Sequence, residues 1–450
     1  MTKQEWRELR NSRSMLYAGR VLVPTQPIVL SIDKNYASRY DGQVALMIAA
    51  SLFSRMTPSV FLDVPVIQVV PELPWRGLSL RDVAMYAMKH ADPFAPFDCR
   101  AEMPGDYIVR LGSTGKSRIV HGSGWNMYIG PGDSPISSSN DLNPVGPALS
   151  VIIEAGNIFF HAFNVPQESY LFNALHWSNG MLPFGKGTLP DHVDFGTIWT
   201  VGTGSVGTSA LYCLALTSGT MDLTLFDMDR VKVENMDRSP MFGASDVGEY
   251  KVKVTKTFLD NMGIKDISVV DKALHESYLF GNRSQGVPDI LISAANELNV
   301  RSTIENSFPP LQIYGTTGKS WQASMIRHIP LVDPCSSCLF PDNIHAKTVC
   351  ATSKAEAVSG EQIDAALPFL SFAAGVMAAS EILKINLPGY PFTDNRTVLY
   401  TWGGPKLSQN KLAKRGNCIC KNRSKAVHRQ MIAGSKYIFL SDRRLLQVRK

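Results

Sequence analysis

With 450 residues, 44% of them hydrophobic and 19% charged, the chain has ample material for a packed core, and a disordered chain is excluded. Two domains are expected at this length. A net charge of +6 is too mild to point to DNA or RNA, so nucleic acid is not expected as a partner, whereas a nucleotide or an acidic protein surface suits it.

The first residues are polar and carry no apolar stretch of a secretory signal. Residues 1–185 are expected to form an α/β domain. Its elements are a polar helix (Lys3–Met15), a strand (Pro27–Ile32), a polar link (Asp33–Gly42), a helix (Gln43–Ser54) and a strand (Val60–Val64). Its strand–helix–strand order lacks a glycine fingerprint in the turn. Tyr107–Arg110 and Trp125–Ile129 read as further strands between glycine-rich turns, and Pro147–Ala162 as a helix. Of the two longest apolar runs, Gln43–Met56 is too short to span a bilayer. The other, Gly146–Val165, contains Glu154, Asn157 and His161. Both are expected as buried helices of a cytoplasmic protein with no membrane partner. Residues 178–195 are rich in turn formers and read as a linker.

Residues 196–256 organise the rest. Thr197–Val201 is apolar and β-branched, as a buried parallel strand should be. Gly202, Gly204 and Gly207 follow at GxGxxG spacing, residues 208–216 read as a helix, and a second strand, Met221–Phe226, ends at Asp227. Gly202 allows a tight turn, Gly204 lets backbone N–H groups approach phosphate oxygens, and Gly207 lets the helix sit close to the strand. The helix N-terminus favours an anion. Asp227 lies where a carboxylate can bind a ribose hydroxyl. A bare tight turn is the alternative, and the glycines do not choose the nucleotide. Asp229, Asn235, Arg238 and Lys251 do. A nicotinamide oxidoreductase would leave Asn235, Arg238 and Lys251 unexplained, whereas an enzyme handling a triphosphate needs cations to neutralise phosphates.

Beyond Lys251 a helix to about Met262 is expected, then strands at Ile267–Val270, Val287–Ser293, Leu311–Gly315 and Lys319–Ile329. Cys335 and Cys338 form one close pair, and Cys418 and Cys420 another. Four thiolates in two pairs are the ligand set of a closed tetrahedral zinc site. Four free thiols, or one redox-active CxxC, are the alternatives. The seventh cysteine makes the count odd, which fits a reducing cytoplasm better than a disulfide framework. Leu367–Lys384 reads as a helix rich in small residues. Residues 421–450 are a basic tail, either solvated or a docking surface, in which Tyr437–Leu440 is a strand candidate.

The glycine fingerprint, Asp227 and Asp229 as D-x-D, Asn235 and Arg238 as N-x-x-R, and then Lys251 resemble the ThiF/MoeB and ubiquitin-activating enzyme superfamily. The resemblance covers about residues 190–420. It implies a doubly wound Rossmann-like adenylation domain over 186–420 that uses ATP and Mg²⁺ to adenylate the C-terminus of a ubiquitin-like protein. It supports zinc at the paired cysteines. It implies that residues 1–185 are a decayed copy of the same fold, an unrelated α/β domain being the alternative. It also implies that Arg13, on the N-terminal helix, reaches the ATP phosphates, a solvated helix face being the alternative. Where the family carries a magnesium-holding aspartate, five residues before an arginine, this sequence has Asn296 before Arg301. An amide is a poorer ligand for a hard cation, and Glu297 is the candidate stand-in. Cys350 matches the family's Thr-Cys loop and has Lys347 and Lys354 nearby, which favours a thiolate nucleophile. An incidental loop cysteine is the alternative, with Cys99 the next candidate. The implied partners are a ubiquitin-like protein and a conjugating enzyme, with a homodimer also open. The fused N-terminal half fits a bacterial-style conjugation system, of the kind found in antiviral defence, better than a small sulfur-carrier activator. Asn296 keeps a non-catalytic scaffold open.

Overall fold

The computed structural model describes residues 2–17, 23–96, 98–138, 141–183, 185–274, 287–295, 309–318, 321–335, 367–388, 394–401, 405–416 and 418–422, with 300, 304, 338, 354–356, 362–364, 436–437 and 440. Two sheets make up the frame. The N-terminal half opens with α1 (Lys3–Arg10) and α2 (Ser12–Tyr17), one expected helix broken at Asn11. Then come β1 (Ile28–Ile32), α3 (Lys34–Ala37), α4 (Tyr40–Met56), β2 (Val60–Asp63), α5 (Leu80–Ala91), β3 (Tyr107–Leu111), β4 (Arg118–Ser123), β5 (Asn126–Pro131), α6 (Val145–His161), β6 (Tyr170–Asn173) and β7 (Ser178–Asn179). Its sheet runs β2-β1-β3-β4-β5-β6-β7. The pairs from β2 to β4 are parallel and those from β4 to β7 antiparallel.

The C-terminal half carries β8 (Val193–Val201), α7 (Ser205–Ala215), β9 (Gly219–Phe226), α8 (Lys251–Asn261), β10 (Ile267–Val270), β11 (Ile290–Ser293), β12 (Leu311–Gly318) and β13 (Gln322–His328). A small ribbon of β14 (Lys354–Glu356) and β15 (Gln362–Asp364) follows, then α9 (Pro368–Ile385), β16 (Arg396–Tyr400), β17 (Lys406–Asn410) and α10 (Ile419–Asn422). Its sheet runs β10-β9-β8-β11-β12-β13-β16-β17. It is parallel from β10 to β12 and antiparallel from there to β17. With β1 set on β8, the two sheets have the same strand order and the same switch in direction. The C-terminal sheet has β10 in addition; the matching edge of the N-terminal sheet holds a single parallel bridge, Leu62 to Cys99.

The helices explain why the halves hold together. Burial is complete in two of them: every residue of α4 and α9 is buried. Helix α9 is long and apolar enough to cross a membrane by length and composition, and all of it lies inside the protein. Phe159 and Phe160 of α6 each place their ring 5.5 Å from Phe369 of α9, and Phe160 lies edge-on to Trp321 at 5.3 Å. Gly156 leaves room for the Phe369 ring, 3.4 Å from where a β-carbon would stand. Across the same boundary the Tyr40 hydroxyl donates to the Leu216 carbonyl at 2.8 Å. One apolar core therefore runs through both halves.

Two expectations need correction. The stretch 178–195 is not a loose linker. Asn126 holds the backbone of Leu182 through both its amide atoms, at 2.7 and 3.2 Å, and Trp125 Nε1 donates to the Gly187 carbonyl at 2.6 Å. Nor is the whole tail solvated: Tyr437 and Leu440 are buried, and Lys436 N donates to Asp289 Oδ1. Helix α5 and strand β4 were not expected; β4 is buried from Ile119 to Ser123 although only Ile119 and Val120 are apolar, so no apolar run marks it.

Candidate nucleotide site and cysteine cluster

The turn between β8 and α7 is built by its glycines. Gly202 has φ +90°, and a β-carbon there would stand 2.9 Å from Ala295 N. At Gly207 a β-carbon would stand 2.1 Å from the Gly202 carbonyl oxygen, so helix and strand could not approach as they do. Gly204 caps α7, and nothing lies within 4 Å of where its β-carbon would be. The open face is therefore at Gly204, at the end of a helix whose first N–H groups and dipole suit an anion.

The acids and cations named from the sequence converge on this turn. Asp227, half-buried at the end of β9, accepts from Thr203 N at 2.8 Å and Thr203 Oγ1 at 3.2 Å. Its other oxygen accepts from Asp229 N at 2.9 Å. Lys251, the first residue of α8, is buried and pairs with Asp229 at 2.7 Å. Asn235 accepts from Lys232 N at 3.0 Å and so closes the turn at Val233–Asn235. Arg238 donates to the Glu234 carbonyl at 2.7 Å and to the Asp237 carboxylate. Its neighbour Ser239 shares a 2.8 Å hydroxyl bond with Thr208 in the first turns of α7. Burial pushes the Asp237 carboxyl up, against the opposing pull of Arg238, Arg13 and Arg10. Arg13 and Ser14 thus lie beside this segment, with Ser14 Oγ 3.5 Å from Asp237. Asn296, Glu297 and Cys350 lie outside the described residues.

The sequence did not single out Thr203, Asp237 or Arg55. The signal for Arg55 was present: an arginine in an apolar helical run calls for buried acceptors.

The four paired cysteines come together, all buried. The sulfurs of Cys335 and Cys338 are 3.6 Å apart, and those of Cys335 and Cys418 3.8 Å. Cys335, Cys418 and Cys420 lie within 4.8 Å of one another. A tetrahedral zinc ion with Zn–S bonds of about 2.3 Å spaces its sulfurs by about 3.8 Å, so the residues fit that ion. Polar neighbours support them: Arg415 N donates to Cys338 Sγ at 3.4 Å, and His328 Nε2 lies 3.5 Å from Cys420 Sγ. Burial pushes the Cys418 thiol up to about 11, a penalty that a bound dication would reverse.

The ThiF family matches residues 189–420. The NEDD8-activating enzyme E1 catalytic subunit of Arabidopsis thaliana is 30% identical over 183 residues, which are 37% of this chain and 39% of that one. The match thus spans well under two thirds of that relative. Among solved structures, E. coli MccB with ATP is similar at 15% identity and a TM-score of 0.39, covering 68% of this chain and 98% of its own. PaaA is similar at 18% identity and a TM-score of 0.35, covering 48% of this chain and 64% of its own. With its family match running from just before β8 to the second cysteine pair, the chain belongs to the ThiF family.

Proposed function

We propose that the protein is an ATP-dependent adenylyltransferase that activates the C-terminal carboxylate of a ubiquitin-like protein. The observation that carries this is the tie between the open glycine turn and the cations around it. Thr203 binds Asp227, Asp227 binds Asp229, and Asp229 holds Lys251, while Ser239 binds α7 beside Arg238. ATP would lie with its phosphates at Gly204 and its ribose near Asp227. A carboxylate oxygen of the modifier attacks the α-phosphorus, the bond to the β-phosphate oxygen breaks, and pyrophosphate leaves. Arg238, Lys251 and Arg13 offset the charge that builds there. Asn296 and Glu297 are the residues to test for holding Mg²⁺, which would supply neutralisation of the triphosphate charge. A thiolate, for which Cys350 is our candidate, then attacks the acyl carbon and releases AMP, leaving a thioester for a conjugating enzyme. Zinc at the four cysteines would hold structure and take no part in the chemistry. An adenylate-only sulfur-carrier activator uses the same first step, and a scaffold role draws on Asn296 alone.

Calorimetry with ATP, AMP and NAD in the presence of Mg²⁺ tests the first step. ATP should bind, and Asp227→Ala should weaken it by about 2 kcal/mol, the cost of losing charge-assisted hydrogen bonds. Tight NAD binding without ATP binding would sink the proposal.

A further inference from the structure

The segment that carries Arg238 is not shaped by its own half alone. Residues 236–242 are all buried, and three of their carbonyls turn toward one side chain of the other half. Arg55, at the end of α4, donates from Nη1 to the Met236 and Phe242 carbonyls, the latter at 3.1 Å, and from Nη2 to the Pro240 carbonyl at 3.0 Å. Its Nε donates to Ser51 at 3.4 Å, so each nitrogen of the fork is used. The guanidinium is fully buried. Burial, with Arg10 close by, pulls it down to about 9.

The same grip reaches the N-terminal helices. Asn11 Nδ2 donates to the Arg55 carbonyl at 2.7 Å, and Asn11 Oδ1 accepts from Arg10 Nε at 2.8 Å. Arg10 in turn donates to the carbonyls of Ser54 and Ala91, at 3.2 and 2.8 Å. The start of the chain, the end of α4 and the Arg238 segment are therefore one polar lattice. Three carbonyls folded inward would be left unsatisfied without the fork, and the segment would have to open to pair them elsewhere. Arg238 lies inside the arc that they define.

We infer that Arg55 is a positioning residue for the nucleotide site: it fixes the 236–242 arc from the N-terminal half and so aims Arg238 at the phosphates. The inference rests on the ATP proposal above. It concerns phosphates only, so it separates ATP from adenosine. A lysine at 55 keeps the charge but not the planar fork that serves carbonyls on both sides.

The test uses the full chain, with Arg55→Lys, Arg55→Met, Arg238→Ala and the double variant Arg55→Lys with Arg238→Ala. ATP and adenosine affinities are measured by calorimetry, and folding is followed by thermal melting. Arg55→Lys should bind adenosine as the wild type does and ATP about tenfold less tightly. That loss should vanish when Arg238 is already alanine, because the effect passes through Arg238. If Arg55→Met does not fold, Arg55→Lys carries the test. The inference is overturned if folded Arg55→Lys keeps the wild-type ratio of ATP to adenosine affinity, or if its loss persists in full beside Arg238→Ala. A wild-type chain that binds adenosine but gains nothing from the phosphates removes the inference and leaves a nucleoside site. A wild-type chain that binds neither ligand overturns the ATP proposal itself, and the inference falls with it.

Discussion

Five residues (202–206) separate the end of β8 from Gly207, and nine (33–41) separate the end of β1 from Gly42. Both glycines are the third residue of the helix that follows. A β-carbon at Gly207 would stand 2.1 Å from the Gly202 carbonyl oxygen, and one at Gly42 would stand 2.0 Å from that of Tyr36. A glycine is thus demanded in both halves, because the helix meets backbone of the connection that precedes it, the Gly202 carbonyl in one half and that of Tyr36 in α3 in the other. The earlier glycines serve something else. Where the C-terminal half has Gly202 and the open face at Gly204, the N-terminal half has α3 and Tyr36. The Tyr36 hydroxyl donates to the Gly122 carbonyl at 2.7 Å and accepts from Gly122 N at 3.1 Å, while Asp33 Oδ1 accepts from Tyr36 N at 2.7 Å. The ends of β1 and β4 are stitched together by side chains where β8 leaves room. One strand order therefore supports an open turn in one half and a filled one in the other.

The largest contrast to test is metal. The N-terminal half holds Cys99 alone, against the four clustered thiols of the other. Elemental analysis should find about one zinc per chain, and Cys335→Ser or chelation should remove it at a stability cost on the order of 5 kcal/mol. Cys99→Ser should do neither. Next come the paired glycines. Gly207→Ala and Gly42→Ala should each lose about 3 kcal/mol in urea unfolding, since the new methyl meets backbone that cannot yield. Only Gly207→Ala should also abolish ATP binding directly. Equal loss of binding from Gly42→Ala at matched stability would mean that the filled turn is not idle.

The last effect is a slope. Burial raises the Asp41 carboxyl to about 8 in the folded chain, with Asp141 adding to the rise and Ser123 and Arg39 opposing it. Its folded pKa lies above its unfolded one, so the native state keeps a proton that the unfolded state has lost. The stabilisation is fully present below about pH 4 and is lost as pH rises toward about 8. Asp41→Asn should therefore remove a fall of about 1.4 kcal/mol per pH unit from urea unfolding measured across that window. A slope unchanged in Asp41→Asn would place the titration elsewhere, with Asp141, raised by burial to about 6, tried next.

Most of the C-terminal half was legible because its constraints are local. The glycine turn, Asp227, Asn235, Arg238 and Lys251 follow one another at fixed spacing, and the end of β8, β10 and β11 are short, mostly apolar runs. The cysteine pairs announced themselves by type, though they come from distant segments. The N-terminal half was legible only in outline. Nine residues separate its Gly42 from the end of β1, where five separate Gly207 from the end of β8, so no GxGxxG spacing marks it although its β-carbon position also meets backbone. Arg55 was legible as a cation inside an apolar run, but its partners were not, for a different reason. They are the backbone carbonyls of Met236, Pro240 and Phe242, a group that every residue possesses, and no side-chain pattern marks them. The grip of Asn126 on Leu182 was hidden in the same way, beneath a stretch whose composition reads as turn.

The aromatic seam between α6 and α9 bears on how the chain is made. Ribosomes add roughly 5–20 residues per second, so Phe159 and Phe160 emerge on the order of ten seconds or more before Phe369 is synthesised to cover them. Until then the newborn N-terminal half carries an uncovered greasy stripe. Its assembly in the cell is therefore a matter of waiting as well as of folding, and a truncation that removes α9 leaves that stripe exposed for good.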